Sequence, residues 1–271
     1  MKKAISALLI LAMAVMCLSA CGNAATPSSS SASLAPEHDP VTLMVAAAAS
    51  LESIYVNELI PMFQAEYPWI TVEGTYDASG KLQTQIEEGL EASVFMSAAT
   101  KQMDALTESG FIDGSTVVNL LENEIVLIAP INSTTTITSF EEIVDAETIA
   151  IGDPESVPAG QYAKEVLTNL GVWDAIQDKL SLGTNVTEVL AAVAEGSADV
   201  GIVYATDAAQ RLDEVKILAS APEGSLQTKI IYPVGILANA PQPEAAALFV
   251  AFLQTQAAID AFIAAGFKSN I

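Results

Sequence analysis

The sequence has only two cysteines and one histidine in 271 residues, and this scarcity excludes several kinds of chemistry. Both cysteines, Cys17 and Cys21, lie near the start of the chain, so the later residues offer neither a disulfide nor a thiolate. His38 is the only histidine and lies in the predicted tether described below, which leaves a Ser-His-Asp triad in the fold without a base. Most transition-metal sites are excluded too, because they are built mainly from histidine and cysteine. We therefore expect a protein that is not an enzyme and that holds no cofactor.

Basic residues are also scarce, with 10 Lys and Arg against 33 Asp and Glu and a formal net charge of −23. Such an acidic surface repels a phosphate backbone, so the composition argues against nucleic-acid binding. Aromatic residues make up only 6% of the chain, whereas hydrophobic residues make up 51%. A composition rich in Ala, Val and Leu with few aromatics suits an α/β protein.

The first residues have the features of a targeting segment. Lys2 and Lys3 precede an apolar run over residues 4–16, which is too short to span a bilayer. The following LSAC at residues 18–21 resembles a bacterial lipobox, which implies a signal peptide over residues 1–20 and lipid on Cys21. An ordinary secretory signal with an incidental cysteine is the alternative. Residues 21–40, rich in Ser, Ala, Thr and Pro, are predicted to form a flexible tether.

From residue 41 onward, apolar strand patterns alternate with helical patterns on short loops. Strands are predicted at 41–46, 70–76, 94–97, 124–129, 148–151, 198–205, 217–219 and 229–237. This alternation predicts two doubly wound α/β lobes joined by a hinge, because each strand is followed closely by a helix. The predicted lobes are 41–126 with 232–271, and 127–231, since the late strand runs back to the first lobe.

Polar groups stand at several of the predicted strand ends, where such sheets bind ligands. Ser50, Ser79 and Tyr204 lie at three of these ends, and the loop before Gly160 lies at a fourth. In that loop Pro158 restricts the backbone, and the helix start directs unpaired N–H groups and a positive dipole end outward, as an anion site requires. The residues alone leave a simpler interpretation open, with the two serines as N-caps and an ordinary strand-to-helix loop.

Two charged residues near these positions have separate expectations. Asp153 is expected to cap its own loop, because a carboxylate facing an anion is repulsive. Lys81, at a predicted helix start, is expected to be exposed and solvated.

Several segments together are typical of one family. They are AASL at 48–51, ASGKL at 78–82, VFMSA at 94–98, GDPESVPAG at 152–160 with YAKE at 162–165, and GIVY at 201–204 with Asp207. With these segments the chain resembles, over residues 41–267, the periplasmic or lipoprotein molybdate-binding component of an ABC importer. The resemblance implies a two-lobe binding protein of the periplasmic type II class that closes around a tetrahedral oxyanion.

The resemblance also implies a site with five donors: the hydroxyls of Ser50, Ser79 and Tyr204, and the backbone N–H groups of Ala159 and Val186. Molybdenum would enter only as the bound oxyanion, with no direct protein ligand. Such a donor set is chemically sensible, because a fully deprotonated oxyanion only accepts hydrogen bonds. The implied partners are an ABC permease and its ATPase, and the protein is expected to be an exported monomer held at the outer face of the cell membrane by lipid alone.

Molybdate is the expected ligand, and tungstate is expected too because the two ions are nearly the same size. One alternative is another oxyanion such as sulfate. A second is a surface lipoprotein that uses the same fold for adhesion or sensing. The chain departs from the family pattern at Ser93 and Ala99, where aspartate is expected, but neither position is one of the five donors.

Overall fold

Eleven strands in two sheets form the framework of the computed structural model, which describes residues 38–271. The predicted signal peptide over residues 1–20, the lipidation of Cys21 and the tether up to residue 37 therefore lie outside the described residues. The strands are Val41–Ala48 (β1), Ile70–Asp77 (β2), Val94–Met96 (β3), Val118–Asn123 (β4), Ile125–Pro130 (β5), Ile149–Gly152 (β6), Leu180–Gly183 (β7), Val200–Tyr204 (β8), Val215–Ser220 (β9), Ile230–Ile236 (β10) and Lys268–Ser269 (β11).

Helices follow most of the strands that the sequence predicted. The α-helices are Glu52–Ile54 (α1), Ile60–Glu66 (α2), Ser79–Glu87 (α3), Thr100–Glu108 (α4), Pro158–Asn169 (α5), Val186–Ala194 (α6), Ala205–Ala209 (α7), Pro243–Leu253 (α8) and Gln256–Ala264 (α9). A π-helical turn at Tyr55–Leu59 joins α1 to α2. Pro61 lies in the first turn of α2, directly after this π-helical turn, and the helix ends at Glu66, before Pro68.

The first sheet has six strands in the order β11-β4-β10-β3-β1-β2. β1 pairs in parallel with β2, from Val41 opposite Ile70 to Ala48 opposite Asp77, and with β3 on its other side. β10 is antiparallel to both β3 and β4. The prediction that a late strand returns to the first lobe is therefore confirmed.

The second sheet has five strands in the order β7-β6-β8-β5-β9. β6 is parallel to β7 and β8, whereas β5 is antiparallel to β8 and β9. The chain passes from the first sheet to the second at Glu124 and returns between Ser220 and Ile230. The lobe boundaries that the sequence predicts, 126/127 and 231/232, fall inside β5 and β10. The observed strand pairing therefore places both crossovers slightly earlier in the chain than predicted. The two-lobe α/β fold itself is confirmed.

The strand patterns missed β4, β7 and β11. β4 reads VNLLEN, in which Asn119 and Glu122 interrupt any regular alternation, and β7 is only four residues long. Short strands of this kind gain most of their stability from neighbouring strands rather than from their own residues.

The last two helices pack on the first lobe through aromatic side chains. Phe249 of α8 meets Phe63 edge to face with ring centroids 5.0 Å apart, and Tyr55 at 6.0 Å. Within residues 38–271 no single helix is long and apolar enough to cross a membrane. Taken together, α8 and α9 have the length and composition of a membrane span, but the two helices are bent by 62° relative to each other.

Candidate functional site

The strand ends of the two sheets enclose a small cavity that contains all five predicted donors. Its lining residues are Ala48, Ala49, Ser50, Asp77, Ala78, Ser79, Ala98, Val157, Pro158, Ala159, Val186 and Tyr204. The cavity volume of about 10 Å³ is room for roughly one water-sized occupant. The lobes must therefore separate a little to admit a four-oxygen anion.

Ser50 lies in a short 3₁₀ turn directly after β1, where it is buried. Its hydroxyl makes no capping bond to that turn. Instead, Ser50 Oγ lies 3.0 Å from the hydroxyl oxygen of Tyr232 on β10. The interpretation of Ser50 as an N-cap is therefore wrong, because its hydroxyl is held from the side by another strand.

Ser79 is the first residue of α3, and the capping position before it belongs to Ala78. Ser79 Oγ accepts a hydrogen bond of 3.0 Å from the backbone N–H of Ala98, which follows β3. The N-cap interpretation is wrong here too. A serine oxygen that accepts from a backbone N–H keeps its own hydrogen for another acceptor. Ser79 is therefore set up to donate into the cavity.

Tyr204 is the last residue of β8 and is buried. Its hydroxyl donates to the backbone carbonyl of Ala98 over 3.3 Å, which links the second lobe to the first. Burial raises the pKa of Tyr204 well above its usual range, so the phenol keeps its proton and remains a donor.

The two predicted backbone donors lie at helix starts. Ala159 follows Pro158 in the first turn of α5, and Val186 is the first residue of α6. N–H groups at these positions have no acceptor within their own helix, and they carry the positive end of its dipole. In α6 the side chain of Asn185 accepts the N–H of Glu188, two residues beyond Val186, over 2.9 Å.

Gly160 brings α5 close to β6. A Cβ at this position would lie 1.9 Å from the carbonyl oxygen of Gly152, so no larger residue fits without a backbone shift. The group that approaches Gly160 is the protein's own backbone. This contact fixes the helix start, and with it Ala159, against the end of the strand.

Several hydrogen bonds join the lobes around the cavity. Besides the Tyr204 bond, the N–H of Gly80 donates to the carbonyl of Ser156 over 3.0 Å. The Nε2 atom of Gln102 donates to Oε1 of Gln161 over 3.3 Å. Separation of the lobes must break these bonds, and a bound anion would have to compensate for them.

A carboxylate that sequence reasoning missed also lines the cavity. Asp77 ends β2, its Oδ1 accepts the N–H of Ala78 over 2.8 Å, and the same oxygen lies 3.4 Å from Lys81 Nζ. Lys81 is therefore paired, with 35% of its side chain exposed, rather than simply solvated as predicted. The ammonium group offsets a negative charge that would oppose an anion.

The prediction for Asp153 is confirmed, since its carboxylate accepts the N–H of Glu155 within the loop over 3.0 Å.

Asp207 is buried in the first turn of α7, directly after Tyr204 and its strand. Burial raises the pKa of this carboxyl to about 7, and the backbone of Tyr204 opposes that shift by a hydrogen bond. Its Oδ2 atom has no hydrogen-bond partner among the described residues.

Both departures from the family pattern fall on buried positions outside the cavity lining. Ser93 Oγ accepts the N–H of Gln242 over 3.3 Å, and the N–H of Ala99 donates to Ser97 Oγ over 3.2 Å. These contacts serve local packing in the first lobe.

Two further polar residues behind the cavity, Tyr232 and Asn123, were also missed. Tyr232 interrupts the apolar pattern of β10, which is the one signal that could have marked it. Asn123 ends β4, a strand whose pattern gave no signal.

Comparison with known proteins shows the family of the chain. The sequence matches the family described as bacterial extracellular solute-binding protein over residues 43–268. It is 37% identical over 242 residues to YvgL of Bacillus subtilis, a proposed ABC transporter substrate-binding lipoprotein, covering 89% of this chain and 92% of the relative. It is also 37% identical over 205 residues to the molybdate-binding protein ModA of Escherichia coli, covering 73% and 78% of the two chains.

Among solved structures, the chain resembles the substrate-binding domain of a proposed molybdenum ABC transporter from Clostridium difficile. The TM-score is 0.65 at 35% identity, covering 84% of this chain and 98% of that one. The likeness extends over both lobes, because it covers nearly all of the described residues.

Proposed function

Because the chain belongs to the family of bacterial extracellular solute-binding proteins, we propose that it captures molybdate in the cavity between its two lobes. As a solute-binding protein of an ABC transporter family it is not an enzyme, and it needs no cofactor. The observation that carries the proposal is that five donors from separate segments line one cavity.

The donor set suits a fully deprotonated tetrahedral oxyanion. Three hydroxyls and two backbone N–H groups donate, and bonds from such donors to an anion are roughly twice as strong as bonds between neutral groups. Charge attraction contributes little to selectivity, because the Lys81 ammonium near the cavity is engaged by Asp77. Selectivity then rests on fit, which favours molybdate and tungstate over the smaller sulfate.

Capture is proposed to proceed by movement of the lobes about the two crossovers. On binding, the anion would accept hydrogen bonds from both lobes, from Ser50 and Ser79 on one side and from Ala159, Val186 and Tyr204 on the other. These bonds to the anion would then compensate for the hydrogen bonds between Gly80 and Ser156, and between Gln102 and Gln161, that separation of the lobes breaks.

Delivery to an ABC permease and its ATPase completes the proposed function. We propose lipid on Cys21 as the anchor that keeps the protein at the outer face of the membrane, and a monomer as the working form. The proposed B. subtilis lipoprotein, which is similar over most of its length, supports the anchor. Mass spectrometry of the protein from a bacterial membrane fraction tests it, with Cys21→Ser as the unlipidated control.

Calorimetric titration of the protein, stripped of bound anions by partial unfolding and dialysis, tests the ligand. Molybdate and tungstate are expected to bind one per chain, and sulfate at least tenfold more weakly because a smaller anion cannot reach all five donors. An absence of heat with both larger ions, or displacement of molybdate by equimolar sulfate, would count against the proposal.

A further inference from the structure

A buried row of polar side chains leads from the crossover between the sheets to the cavity. Asn123 ends β4, Tyr232 lies on β10, and Ser50 lines the cavity, and all three are at most 7% exposed. Asn123 Nδ2 lies 3.2 Å from the hydroxyl oxygen of Tyr232, which lies 3.0 Å from Ser50 Oγ. The row therefore connects the crossover to one of the five proposed donors.

The direction of the first hydrogen bond in this row follows from the contacts of the amide. The backbone N–H of Glu124 donates to Asn123 Oδ1 over 2.8 Å, so the other amide atom must be the nitrogen. That nitrogen has two hydrogens, which reach Thr206 Oγ1 at 2.9 Å and the Tyr232 oxygen at 3.2 Å. Tyr232 therefore accepts a hydrogen bond from Asn123.

The direction of the second bond follows from the single hydrogen of the phenol. Within hydrogen-bonding distance, Ser50 Oγ is the acceptor that the described residues offer to the Tyr232 hydroxyl, although the Tyr204 phenol also lies nearby. If Ser50 donated instead, Tyr232 would accept twice and its own hydrogen would be buried without a partner, which is costly. Burial also raises the pKa of Tyr232 well above its usual range, so the hydrogen is always present. Tyr232 therefore donates to Ser50.

We propose that Asn123 and Tyr232 are positioning residues that hold the Ser50 hydroxyl as a donor to the oxyanion. This inference rests on the proposed function, since it concerns the same cavity. With its oxygen engaged by Tyr232, Ser50 directs its hydrogen at the ligand. An oxyanion that carries a proton, such as hydrogen phosphate, needs a hydrogen-bond acceptor in the site. If Ser50 accepted that proton, its own hydrogen would lose the ligand as a partner. The row thus selects fully deprotonated oxyanions.

A double-mutant cycle with Ser50→Ala and Tyr232→Phe tests whether Tyr232 acts through Ser50. Molybdate affinity is measured by calorimetry for the unaltered protein, both single variants and the double variant. Tyr232→Phe is expected to weaken binding roughly tenfold when Ser50 is present, because the donor loses its fixed direction. In the Ser50→Ala background the same change is expected to alter the affinity less than about twofold.

Tyr55→Phe is the matched control for loss of a buried phenol. Tyr55 is fully buried in the same lobe, and its hydroxyl donates to Met96 Sδ over 2.9 Å, away from the cavity lining. This control is expected to leave molybdate affinity unchanged. Thermal unfolding of each variant separates a loss of folding from a loss of binding.

Asn123→Asp tests the direction of the row. The new carboxylate oxygen accepts from Tyr232, which in turn accepts from Ser50, so the serine oxygen presents lone pairs to the cavity. Molybdate and hydrogen phosphate are both dianions at mildly alkaline pH, so the added charge weakens both alike. The ratio of molybdate affinity to hydrogen phosphate affinity is expected to fall roughly tenfold, a change that a purely structural role would not produce.

An equal effect of Tyr232→Phe in both backgrounds, or an unchanged affinity ratio in Asn123→Asp, would overturn the inference. The titration of the unaltered protein tests the proposed function separately. If that protein bound sulfate rather than molybdate, the proposed ligand would be wrong, and the same cycle with sulfate would still decide the role of Tyr232. If it bound no oxyanion, both proposals would fall.

Discussion

Tyr204 donates to the carbonyl of Ala98 across the interface between the lobes, over 3.3 Å. The bond is long for an O–H donor, which places the phenol at the cavity with a weak partner that an anion can replace. The Ala98 carbonyl of the first lobe and the bound anion are therefore alternative acceptors for the hydroxyl hydrogen of Tyr204.

Replacement of this hydrogen gives the first prediction. Tyr204→Phe is expected to weaken molybdate binding by about 1.5–3 kcal/mol, because a hydrogen bond to a charged acceptor is lost. The fold should persist, since the ring stays in place. Calorimetry measures the affinity and thermal unfolding measures the stability, with Tyr55→Phe as the control. An affinity equal to that of the unaltered protein would show that Tyr204 does not donate to the anion.

The pairing of Lys81 with Asp77 gives the second prediction. Lys81→Met leaves the Asp77 carboxylate uncompensated beside the cavity, so oxyanion affinity is expected to fall by about threefold to tenfold. The loss should shrink in about 1 M salt, where exposed charges are screened. Lys101→Met removes a charge from an exposed lysine of α4 and is the control. A loss of equal size in both variants would mean that only net charge matters.

Gly160 gives the third prediction. Gly160→Ala places a methyl group 1.9 Å from the carbonyl oxygen of Gly152, so the start of α5 has to move. We expect about 1–3 kcal/mol of destabilisation in urea unfolding and a weaker oxyanion affinity, because the N–H of Ala159 moves with the helix. Gly114→Ala is the control, since its methyl group would meet only the end of the Thr107 side chain. If Gly160→Ala were as stable as the unaltered protein, the close approach of Gly160 to the Gly152 carbonyl would not constrain the start of α5.

The raised pKa of Asp207, about 7, predicts a pH-dependent stability. Between the ordinary carboxyl value of about 4 and pH 7, the folded protein keeps a proton that the unfolded chain has lost, so this group makes stability fall as pH rises. Asp207→Asn removes that dependence. The free energy of unfolding of the variant, relative to the unaltered protein, should therefore increase from pH 4 to pH 8 by up to about 4 kcal/mol.

Urea unfolding across this pH range measures the effect, because other titrating groups cancel in the difference between the two proteins. Asp178→Asn changes an exposed carboxylate and is the control. A constant difference between Asp207→Asn and the unaltered protein at all pH values would show that Asp207 titrates normally.

The sequence by itself determined the alternation of strands and helices and the return of the late strand to the first lobe, and its family segments predict the five donors. These features are local, because strand periodicity, helix starts and motif spacing are written in neighbouring residues. The same locality explains why β4 and β7 were missed, since their pairing partners rather than their own residues stabilise them.

Only the tertiary structure decided what the polar groups at the strand ends do. Both serines looked like N-caps in sequence, yet Ser50 is held by Tyr232 and Ser79 by the backbone of Ala98, which are distant along the chain. Likewise, Asp77 and Lys81 acquire a shared role only beside a cavity that two lobes enclose. A hydrogen-bond partner that is far away in sequence leaves no periodic signal, so its identity appears only when the chain has folded.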